Sequence, residues 1–484
     1  MIQELDAASS DQETLEHYVS ESFPSVYDYF AWRTDEDLAS DLPLIKQYMS
    51  RKRSLLTSLS PTQTNLAFLA LLLEVAERLS FSSAFGYLFK LLNENGFQVN
   101  SRLGASAKFL IGANTDEAYI ACYEDVYQIL DNALGEEDSI DKVLITVVNY
   151  YLKAIADFPF NRGVAETIRE KITATIAGNE NCFLNRPLIW DMLDTNIADV
   201  DVAVTHIHQR LEAFLQKDKT TQQRANGQLL EQGTEYAQLV DEVDPEFDQI
   251  RRISVNKYKV CGSDAVYYSL HRGVEILTEE CQLFAYMNSF GPMHFRKLWD
   301  AIGVLPVELF ENQLNIIDWG CGQAMATMVL LEYCQDREMP LADYRTLLIE
   351  PSILALKRGV LHLRKFDPEV SVSTINRDLD ALVVPDFDFL YGKTCLHLFS
   401  NILDVHFFSL ANLIALVKNR FSGHNFFVIV SPYIDDTRRN RLDAFVDAFR
   451  EFPSFQLLST NDNRKWEWVQ DWTRVERVFT VDLP

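Results

Sequence analysis

The chain has 484 residues, of which 44 are Lys or Arg and 70 are Asp or Glu, so its formal net charge is −26. Single hydrophobic cores stop growing near about 250–300 residues, so this length predicts more than one domain. A hydrophobic fraction of 48% and a charged fraction of 24% exclude a disordered or fibrous chain. The negative charge repels phosphate backbones at long range, which disfavours nucleic acid as a partner unless a local basic patch is present.

The seven cysteines are scattered along the chain, and no two of them form a CxxC pair. This pattern predicts reduced thiols in a cytoplasmic protein, with neither a disulfide framework nor a metal site. The first fifteen residues are acidic and lack an apolar core, so neither a secretory signal nor a transit peptide is expected. The longest apolar run, Leu66–Leu73, is shorter than the roughly 20 residues that a membrane helix needs, so we expect no membrane association.

Residues 1–216 are predicted to form an all-α domain, because consecutive segments have helical periodicity and strand signals are few. In Val204–Leu215, for example, apolar residues recur at i, i+4, i+7 and i+8, which places them on one buried stripe. Two histidines in this segment, His206 and His208, point to different helix faces and therefore make a poor metal site. The domain shows no catalytic motif, and we expect it either to recognise a partner, such as a protein, or to shape the acceptor site.

Two segments follow this domain. Residues 217–249 are polar and rich in Gln, which predicts a linker. Residues 250–310 are predicted to connect the domains through a hairpin and a helix. The alternation in Arg251–Val260, with Ala265–Leu270 as its partner, is typical of a hairpin. The helix is expected over about Thr278–Ile302, with a break or kink at Gly291-Pro292 because proline removes a helix donor.

From Leu314 onward the apolar period changes, and residues 311–484 alternate between strand-like and helical segments. The seven predicted strands are 314–318, 345–349, 370–374, 387–391, 426–430, 455–459 and 475–483. The predicted helices lie near 323–335, 352–364, 396–418 and 437–450. This order predicts an α/β domain with a doubly wound parallel sheet, in which the last two strands form an antiparallel pair.

Ligands of such sheets bind outside the carboxyl ends of the strands, and the first strand ends in the sequence DWGCGQA. Gly320 and Gly322 allow a sharp turn and the close approach of a ligand to the main chain. The GxGxxG pattern of dinucleotide sites would need glycine where Met325 stands, and the carboxylate of Asp318 would lie near a pyrophosphate. A ligand that carries an ammonium group is favoured instead, since Asp318 would attract it.

The second and third strands also end in acidic residues. Glu350, in the sequence IEPS, is predicted to accept hydrogen bonds from the two hydroxyls of a ribose, and the alternative is a capping or solvated side chain. Pro351 fits the first position of the following helix. The third strand leads into NRDLDAL, where Asp378, or alternatively Asp380, is placed to accept from an adenine amino group.

The sequences DWGCGQA, IEPS and RDL, in this order, resemble those of the class I S-adenosylmethionine-dependent methyltransferases over about residues 311–484. The resemblance implies a Rossmann-like methyltransferase sheet, S-adenosyl-L-methionine as cofactor and methyl transfer as activity. It also implies a cofactor site lined by Asp318, Gly320, Cys321, Gly322, Glu350, Pro351, Asp378, Leu379, Tyr391 and Tyr286. Many members have a third glycine where this chain has Ala324.

Methyl transfer from a sulfonium requires mainly that the acceptor be aligned and water excluded. A general base is needed only for an acceptor that is protonated at the working pH, and His397 and His294 are the candidates. Tyr286 and His294 belong to the helix before the first strand, which is expected either to cover the cofactor as a lid or simply to pack on the sheet. The segment after the expected fourth strand lacks the D/N-P-P-Y/F sequence of enzymes that methylate base amino groups.

A protein or small-molecule acceptor is favoured by the acidic charge. Two alternatives stay open at this point. The first is a scaffold that binds the cofactor, or a partner, without transferring methyl groups. The second is an rRNA methyltransferase, which would need a basic surface, and Arg438, Arg439 and Arg441 are the residues that would supply it.

Overall fold

The computed structural model describes residues 1–32, 41–113, 115–137, 140–158, 161–215, 226–227, 229–339, 341, 343–387, 394–464 and 473–484. The chain divides into two units: residues 1–221 with 435–440, and residues 222–434 with 441–484. We call them the helical unit and the sheet unit. Among the described residues, no helix is both long enough and apolar enough to cross a bilayer.

The helical unit is built from consecutive helices, as predicted. They are α1 (Ile2–Ala8), α2 (Gln12–Tyr27), α3 (Leu42–Arg51), α4 (Arg53–Ser58), α5 (Gln63–Arg78), α6 (Ser82–Glu94), α7 (Ser101–Leu110), α8 (Asp116–Ala121), α9 (Tyr123–Ala133), α10 (Ile140–Ala156), α11 (Gly163–Gly178), α12 (Pro187–Leu193) and α13 (Val200–Leu215). A π-helix, Asp28–Trp32, follows α2. In α13, Ile207 and Leu211 are buried, which confirms this part of the predicted apolar stripe.

The sheet unit contains the strands β1 (Asn226–Gly227), β2 (Leu314–Trp319), β3 (Tyr344–Ile349), β4 (Ser371–Ile375), β5 (Thr394–Ser400), β6 (Gly423–Ser431), β7 (Gln456–Asn463) and β8 (Arg474–Leu483). Its helices are α14 (Glu235–Asp241), α15 (Phe247–Cys261), α16 (Asp264–Tyr268), α17 (Glu280–Ile302), α18 (Met325–Asp336), α19 (Ile353–Phe366), α20 (Leu410–Arg420) and α21 (Asp436–Asp447), of which α21 begins in the residues grouped with the helical unit.

The strand order is β1-β4-β3-β2-β5-β6-β8-β7. Strands β4, β3, β2, β5 and β6 are parallel to one another, whereas β8 pairs antiparallel with both β6 and β7. This order confirms the predicted fold class, a Rossmann-like α/β sheet whose last two strands are antiparallel. The short β1, which pairs antiparallel with β4, is an addition that the sequence did not predict.

The fourth parallel strand was predicted in the wrong place. The strand between β2 and β6 is β5, Thr394–Ser400. Of the predicted range 387–391, only Phe387 is described, at the end of a 3-10 turn. In β5 all five interior residues are buried, because helices cover both faces of a parallel sheet. The helix expected from residue 396 begins only at Leu410, where Ser409 Oγ accepts a hydrogen bond from Asn412 N at 3.1 Å.

The hairpin predicted for Arg251–Leu270 is also wrong, because residues Phe247–Cys261 form helix α15. Its buried residues, Phe247, Ile250 and Ile253, recur at helical spacing, so the alternation seen in the sequence was only part of a longer helical pattern. The predicted linker, 217–249, likewise contains helix α14 within its described part.

The reduced state predicted for all cysteines is contradicted by a disulfide between Cys261 and Cys281, whose Cα atoms are 6.0 Å apart. The two cysteines are separated by 20 positions in the sequence, and folding brings the end of α15 to the beginning of α17. Only this packing creates the pair, so no CxxC motif announces it.

The predicted helix before the first strand is present as α17, and it continues through Pro292 without the expected interruption. Its C-terminal half buries Leu298, Ala301 and Ile302 in the core that also contains Phe247 of α15. This burial compensates for the single donor that proline lacks.

Candidate functional site at the carboxyl ends of the parallel strands

The loop between β2 and α18 makes a tight left-handed turn. Gly320 and Gly322 have φ angles of 61° and 50°, a region that glycine enters without steric cost. A Cβ atom at Gly320 would lie 2.8 Å from Cδ1 of Ile402, whereas one at Gly322 would meet nothing within 4 Å. Ala324 also has a positive φ, 61°, which costs an alanine about 1 kcal/mol. Open space therefore lies beside Gly322, and backbone strain lies at Ala324.

The carboxylate of Asp318 is turned toward the first turn of α18. Its Oδ2 atom accepts hydrogen bonds from Thr327 Oγ1 at 2.8 Å and from Thr327 N at 3.3 Å. The side chain is 1% exposed, and burial raises its pKa to about 7 although these hydrogen bonds act in the opposite direction. Asp318 is therefore a buried carboxyl group, held by the first turn of α18, with a pKa near neutral pH.

Glu350, at the end of β3, links two of the strand ends. Its Oε2 accepts a hydrogen bond from Gly322 N at 3.0 Å, and its Oε1 accepts one from Ser352 N at 2.9 Å. Burial raises the pKa of this carboxyl to about 7 against the effect of both hydrogen bonds. The side chain predicted to hold a ribose thus lies against the glycine loop.

The end of β4 contributes a residue that the sequence interpretation missed. Asn376 Nδ2 donates to the carbonyl oxygens of Glu350 at 3.0 Å and Pro351 at 2.8 Å, so it holds the turn on which Glu350 stands. Asp378 is exposed and precedes the 3-10 turn Leu379–Ala381. The position of Asn376 directly after a buried strand could have identified it as a site residue from the sequence.

Three other predicted positions have different outcomes. Cys321 is buried, its N–H donates to Ile349 O at 2.9 Å, and burial raises the pKa of its thiol. Asp380, the alternative to Asp378, accepts a hydrogen bond from Ser409 N at 2.9 Å. Tyr391 lies outside the described residues.

Helix α17 reaches the carboxyl end of β5 through His294, which is 3% exposed. Its Nδ1 is 2.8 Å from Ser400 Oγ, and its Nε2 is 2.9 Å from Asn401 Nδ2 and 3.2 Å from Tyr286 Oη. An amide N–H can only donate, so Nε2 accepts and Nδ1–H donates to Ser400. Burial, with a smaller effect of the Lys297 charge, lowers the pKa of His294 to about 3.

Both ring nitrogens of His294 are engaged in these contacts, and the lowered pKa makes the imidazole a weak proton acceptor. They give no support to a role of His294 as a general base, and that role stays a prediction. His294 instead positions Ser400 and Asn401, two residues that the sequence interpretation missed. They were overlooked because the fourth strand was assigned to the preceding segment. Asn401 has a φ of 56°, so the chain turns sharply where it leaves the sheet.

The surroundings of His397 give no support to its predicted role as a catalytic residue. It lies inside β5, opposite Ile317 of β2, and is 0% exposed. Its Nδ1 accepts from Trp319 Nε1 at 3.2 Å, and its Nε2 lies 3.1 Å from Asn425 Oδ1. Burial lowers its pKa to about 4. It is a core histidine with two hydrogen bonds, remote from the strand ends.

The loop after β5 is held by Arg441, a side chain that is 0% exposed. Arg441 Nε donates to Leu403 O at 2.9 Å and Nη2 donates to Phe408 O at 2.8 Å. The guanidinium also lies 4.6 Å from the centre of the Phe408 ring. This loop carries Ile402, the residue in contact with Gly320.

The basic surface considered for RNA is not formed by Arg438 and Arg441, which are 2% and 0% exposed. Arg438 belongs to the helical unit, where it donates to Asp435 Oδ2 at 3.2 Å and to Glu136 O at 3.0 Å. The TRRNR sequence therefore provides internal ion pairs and hydrogen bonds.

No family model matches the sequence. No curated protein matches it either. Among solved structures, an rRNA methylase from Streptococcus thermophilus is similar to 40% of this chain over 97% of its own, with 13% identity and a TM-score of 0.27. The plantazolicin methyltransferase BpumL in complex with SAH is similar to 49% of this chain over 100% of its own, with 9% identity and a TM-score of 0.29. A putative class I S-adenosylmethionine-dependent methyltransferase from Listeria monocytogenes is similar to 75% of this chain over 88% of its own, with 9% identity and a TM-score of 0.29.

Proposed function

We propose that the sheet unit binds S-adenosylmethionine at the carboxyl ends of β2, β3 and β4 and transfers its methyl group to an acceptor. The observation that carries this proposal is the contact of Glu350 Oε2 with Gly322 N at 3.0 Å. The carboxylate of Glu350, which could accept hydrogen bonds from a ribose diol, lies against the glycine loop. The space beside Gly322 would allow a ligand to approach the backbone of this loop.

The charge of the site supports a cationic ligand. The pKa values of Asp318 and Glu350 are both raised to about 7. The negative charge of Asp318 contributes to the raised pKa of Glu350. An ammonium or sulfonium group would favour the ionised forms of both carboxyls. A pyrophosphate would oppose them, which is why a dinucleotide is not proposed.

The chemistry requires little proton transfer by the protein. When bound, S-adenosylmethionine supplies an electrophilic methyl group. The residues of the chain would hold the acceptor in line and keep water out, and the loop fixed by Arg441 and the Ser400-Asn401 turn fixed by His294 are suited to this role. Since His294 and His397 are both engaged, we propose an acceptor whose lone pair is free at the working pH.

Calorimetry with S-adenosylmethionine, S-adenosylhomocysteine and NAD tests the cofactor. We expect binding of the first two and not of NAD, and Glu350→Gln is expected to weaken binding about tenfold, the effect of one charge-assisted hydrogen bond. Glu369→Gln is the matched control, because Glu369 is exposed in the turn before β4. Unchanged affinity in Glu350→Gln, or no binding by the wild type, would refute the assignment.

The acceptor is proposed to be a protein or a small molecule, with the helical unit recognising a partner. A cell extract supplied with methyl-labelled cofactor and the protein, then separated into protein, RNA and small-molecule fractions, tests this. Label above that of Glu350→Gln in the protein or small-molecule fraction is the expected result. Label only in RNA would favour the rRNA alternative, and no label despite cofactor binding would favour a scaffold.

A further inference from the structure

The segment between α15 and α17, residues 262–280, is joined at both ends by the Cys261–Cys281 disulfide. We call it the bridged segment. One of its anchors is the carbonyl of Leu277, which accepts a hydrogen bond from Ser352 Oγ. Ser352 N is in turn bound by Glu350 Oε1 at 2.9 Å. The bridged segment therefore touches the turn that carries the proposed ribose ligand.

A second anchor connects the bridged segment with Tyr286 of α17. Gly273, at a φ of 86°, lies so close to this ring that a Cβ atom there would be 2.3 Å from Tyr286 Cε2. Tyr286 Oη is 3.2 Å from His294 Nε2, and His294 holds the end of β5. Tyr286 therefore connects the bridged segment, through His294, with the carboxyl end of β5.

The remaining attachments of the bridged segment are polar contacts, ring contacts and a small apolar cluster. They include the ion pair of Glu280 Oε1 with Arg358 Nη2 at 2.8 Å and the stacking of Tyr267 on Phe290. Leu270 and Leu277 join a small apolar cluster with Ala355, and Gln282 Nε2 donates to Ser269 Oγ at 3.0 Å. Helix α16 buries none of its residues, and Tyr268 within it is 59% exposed. Among the described side chains of the segment, only Leu270 and Leu277 are buried, so the covalent closure adds to what restricts this segment.

The disulfide is accessible to reductants. Cys261 is exposed and Cys281 is half-buried. The five other cysteines are free, and Cys182, Cys321, Cys334 and Cys395 among them are buried. A dithiol can therefore attack this bond, which breaks as two electrons pass to the two cysteine sulfurs. Each sulfur takes up a proton, and the reductant leaves as its own cyclic disulfide.

We propose that the Cys261–Cys281 disulfide is a redox latch of the cofactor site. In the oxidised state it holds the bridged segment against Ser352 and Tyr286. In the reduced state the segment samples more conformations, and the site retains the cofactor less well. The cofactor part of this inference rests on the proposed function, whereas the latching of the segment does not.

The test compares oxidised and dithiothreitol-treated protein. Thiol counting after denaturation should give five thiols before and seven after reduction, from seven cysteines of which five are free. On reduction, hydrogen exchange within residues 264–278 should accelerate about tenfold, and S-adenosylhomocysteine should dissociate about tenfold faster, as expected when a loop closure is released.

Cys261→Ser and Cys281→Ser should each match the reduced wild type and no longer respond to dithiothreitol. Cys122→Ser is the control, because Cys122 is a free, half-buried cysteine of the helical unit, and its response should equal that of the wild type. Seven thiols after treatment with oxidised glutathione, or equal exchange and dissociation in both states, would overturn the latch. Absence of S-adenosylhomocysteine binding in both states would overturn the proposed function. The comparison of hydrogen exchange between the oxidised and reduced states would then still test whether the disulfide restricts the bridged segment.

Discussion

Glu350 Oε2 accepts a hydrogen bond from Gly322 N at 3.0 Å, so the end of β3 is tied directly to the glycine loop after β2. Both oxygens of this carboxyl are bound to backbone N–H groups, because Ser352 N occupies Oε1. A ribose diol would have to share or replace these bonds. The same carboxyl therefore shapes the glycine loop and is the group that a nucleoside would meet.

The burial of Asp318 should make stability depend on pH. Its pKa is raised to about 7, above the usual value near 4, so its contribution to stability is present below about pH 4 and is lost as the pH rises through about 7. Asp318→Asn removes this titration. The free energy of unfolding, measured with urea, should increase in the variant by about 2 kcal/mol relative to the wild type between pH 5 and pH 8. A difference that is the same at both pH values would contradict the raised pKa, and Glu369→Gln serves as control.

Cofactor binding should release protons near neutral pH. Asp318 and Glu350 both have pKa values raised to about 7, and a cationic ligand favours their ionised forms. Calorimetry at pH 7 in two buffers of different ionisation enthalpy should show a release of about 0.5–1 proton per cofactor bound. Asp318→Asn should reduce that number. Proton uptake in place of release would exclude the proposed position of the ammonium group.

Ala324 and Gly359 should be energetically coupled. Ala324→Gly relieves the strain of a φ of 61° and is expected to stabilise the fold by about 0.5 kcal/mol after the entropy of glycine is subtracted. Gly359→Ala places a Cβ 3.1 Å from that of Ala324 and should destabilise by about 1 kcal/mol. The loss should be smaller in the Ala324→Gly background.

Urea unfolding of the wild type, the two single variants and the double variant measures the coupling. Gly86→Ala in α6 is the matched control, because a Cβ there meets nothing within 4 Å, and it should be neutral or stabilising. Additive effects of Ala324→Gly and Gly359→Ala would show that the two positions are independent.

His294 should remain neutral over the whole physiological range. Its pKa is lowered to about 3 by burial, so its imidazole resonances should not titrate between pH 5 and pH 8 in spectra of protein labelled at histidine. His294→Ala leaves Asn401 Nδ2 without its acceptor and should cost about 2 kcal/mol of unfolding free energy. Titration of His294 near pH 6.5 would contradict the lowered pKa and favour its predicted role as a general base.

Most of the sheet was predictable from local patterns. Strands β2, β3 and β6 are apolar runs between turn residues, and their order with the intervening helices predicts a parallel sheet. Strand β5 was missed because His397 interrupts its apolar run, whereas FDFLY looks more strand-like. The partner that makes His397 acceptable in the core is Asn425, 28 positions further along the chain. No local pattern contains that information.

The disulfide and helix α15 show the same limit. RRISVNKYKV fits an alternating and a helical pattern, and packing on α17 and α18 decides between them. Cys261 and Cys281 become a pair only through this packing. The arginines of TRRNR look like a basic surface by composition, yet Arg441 is satisfied by two carbonyls from a distant loop.

The amino-acid sequence by itself determined the α/β class of residues 311–484, the glycine turn at Gly320 and Gly322, and the acidic end of β3, because backbone freedom and apolar periodicity are local properties. The tertiary structure decided which histidines are engaged, which cysteines are bonded and which arginines are buried. These properties depend on hydrogen-bond partners and on desolvation by residues far apart in the chain. Only folding brings those residues together.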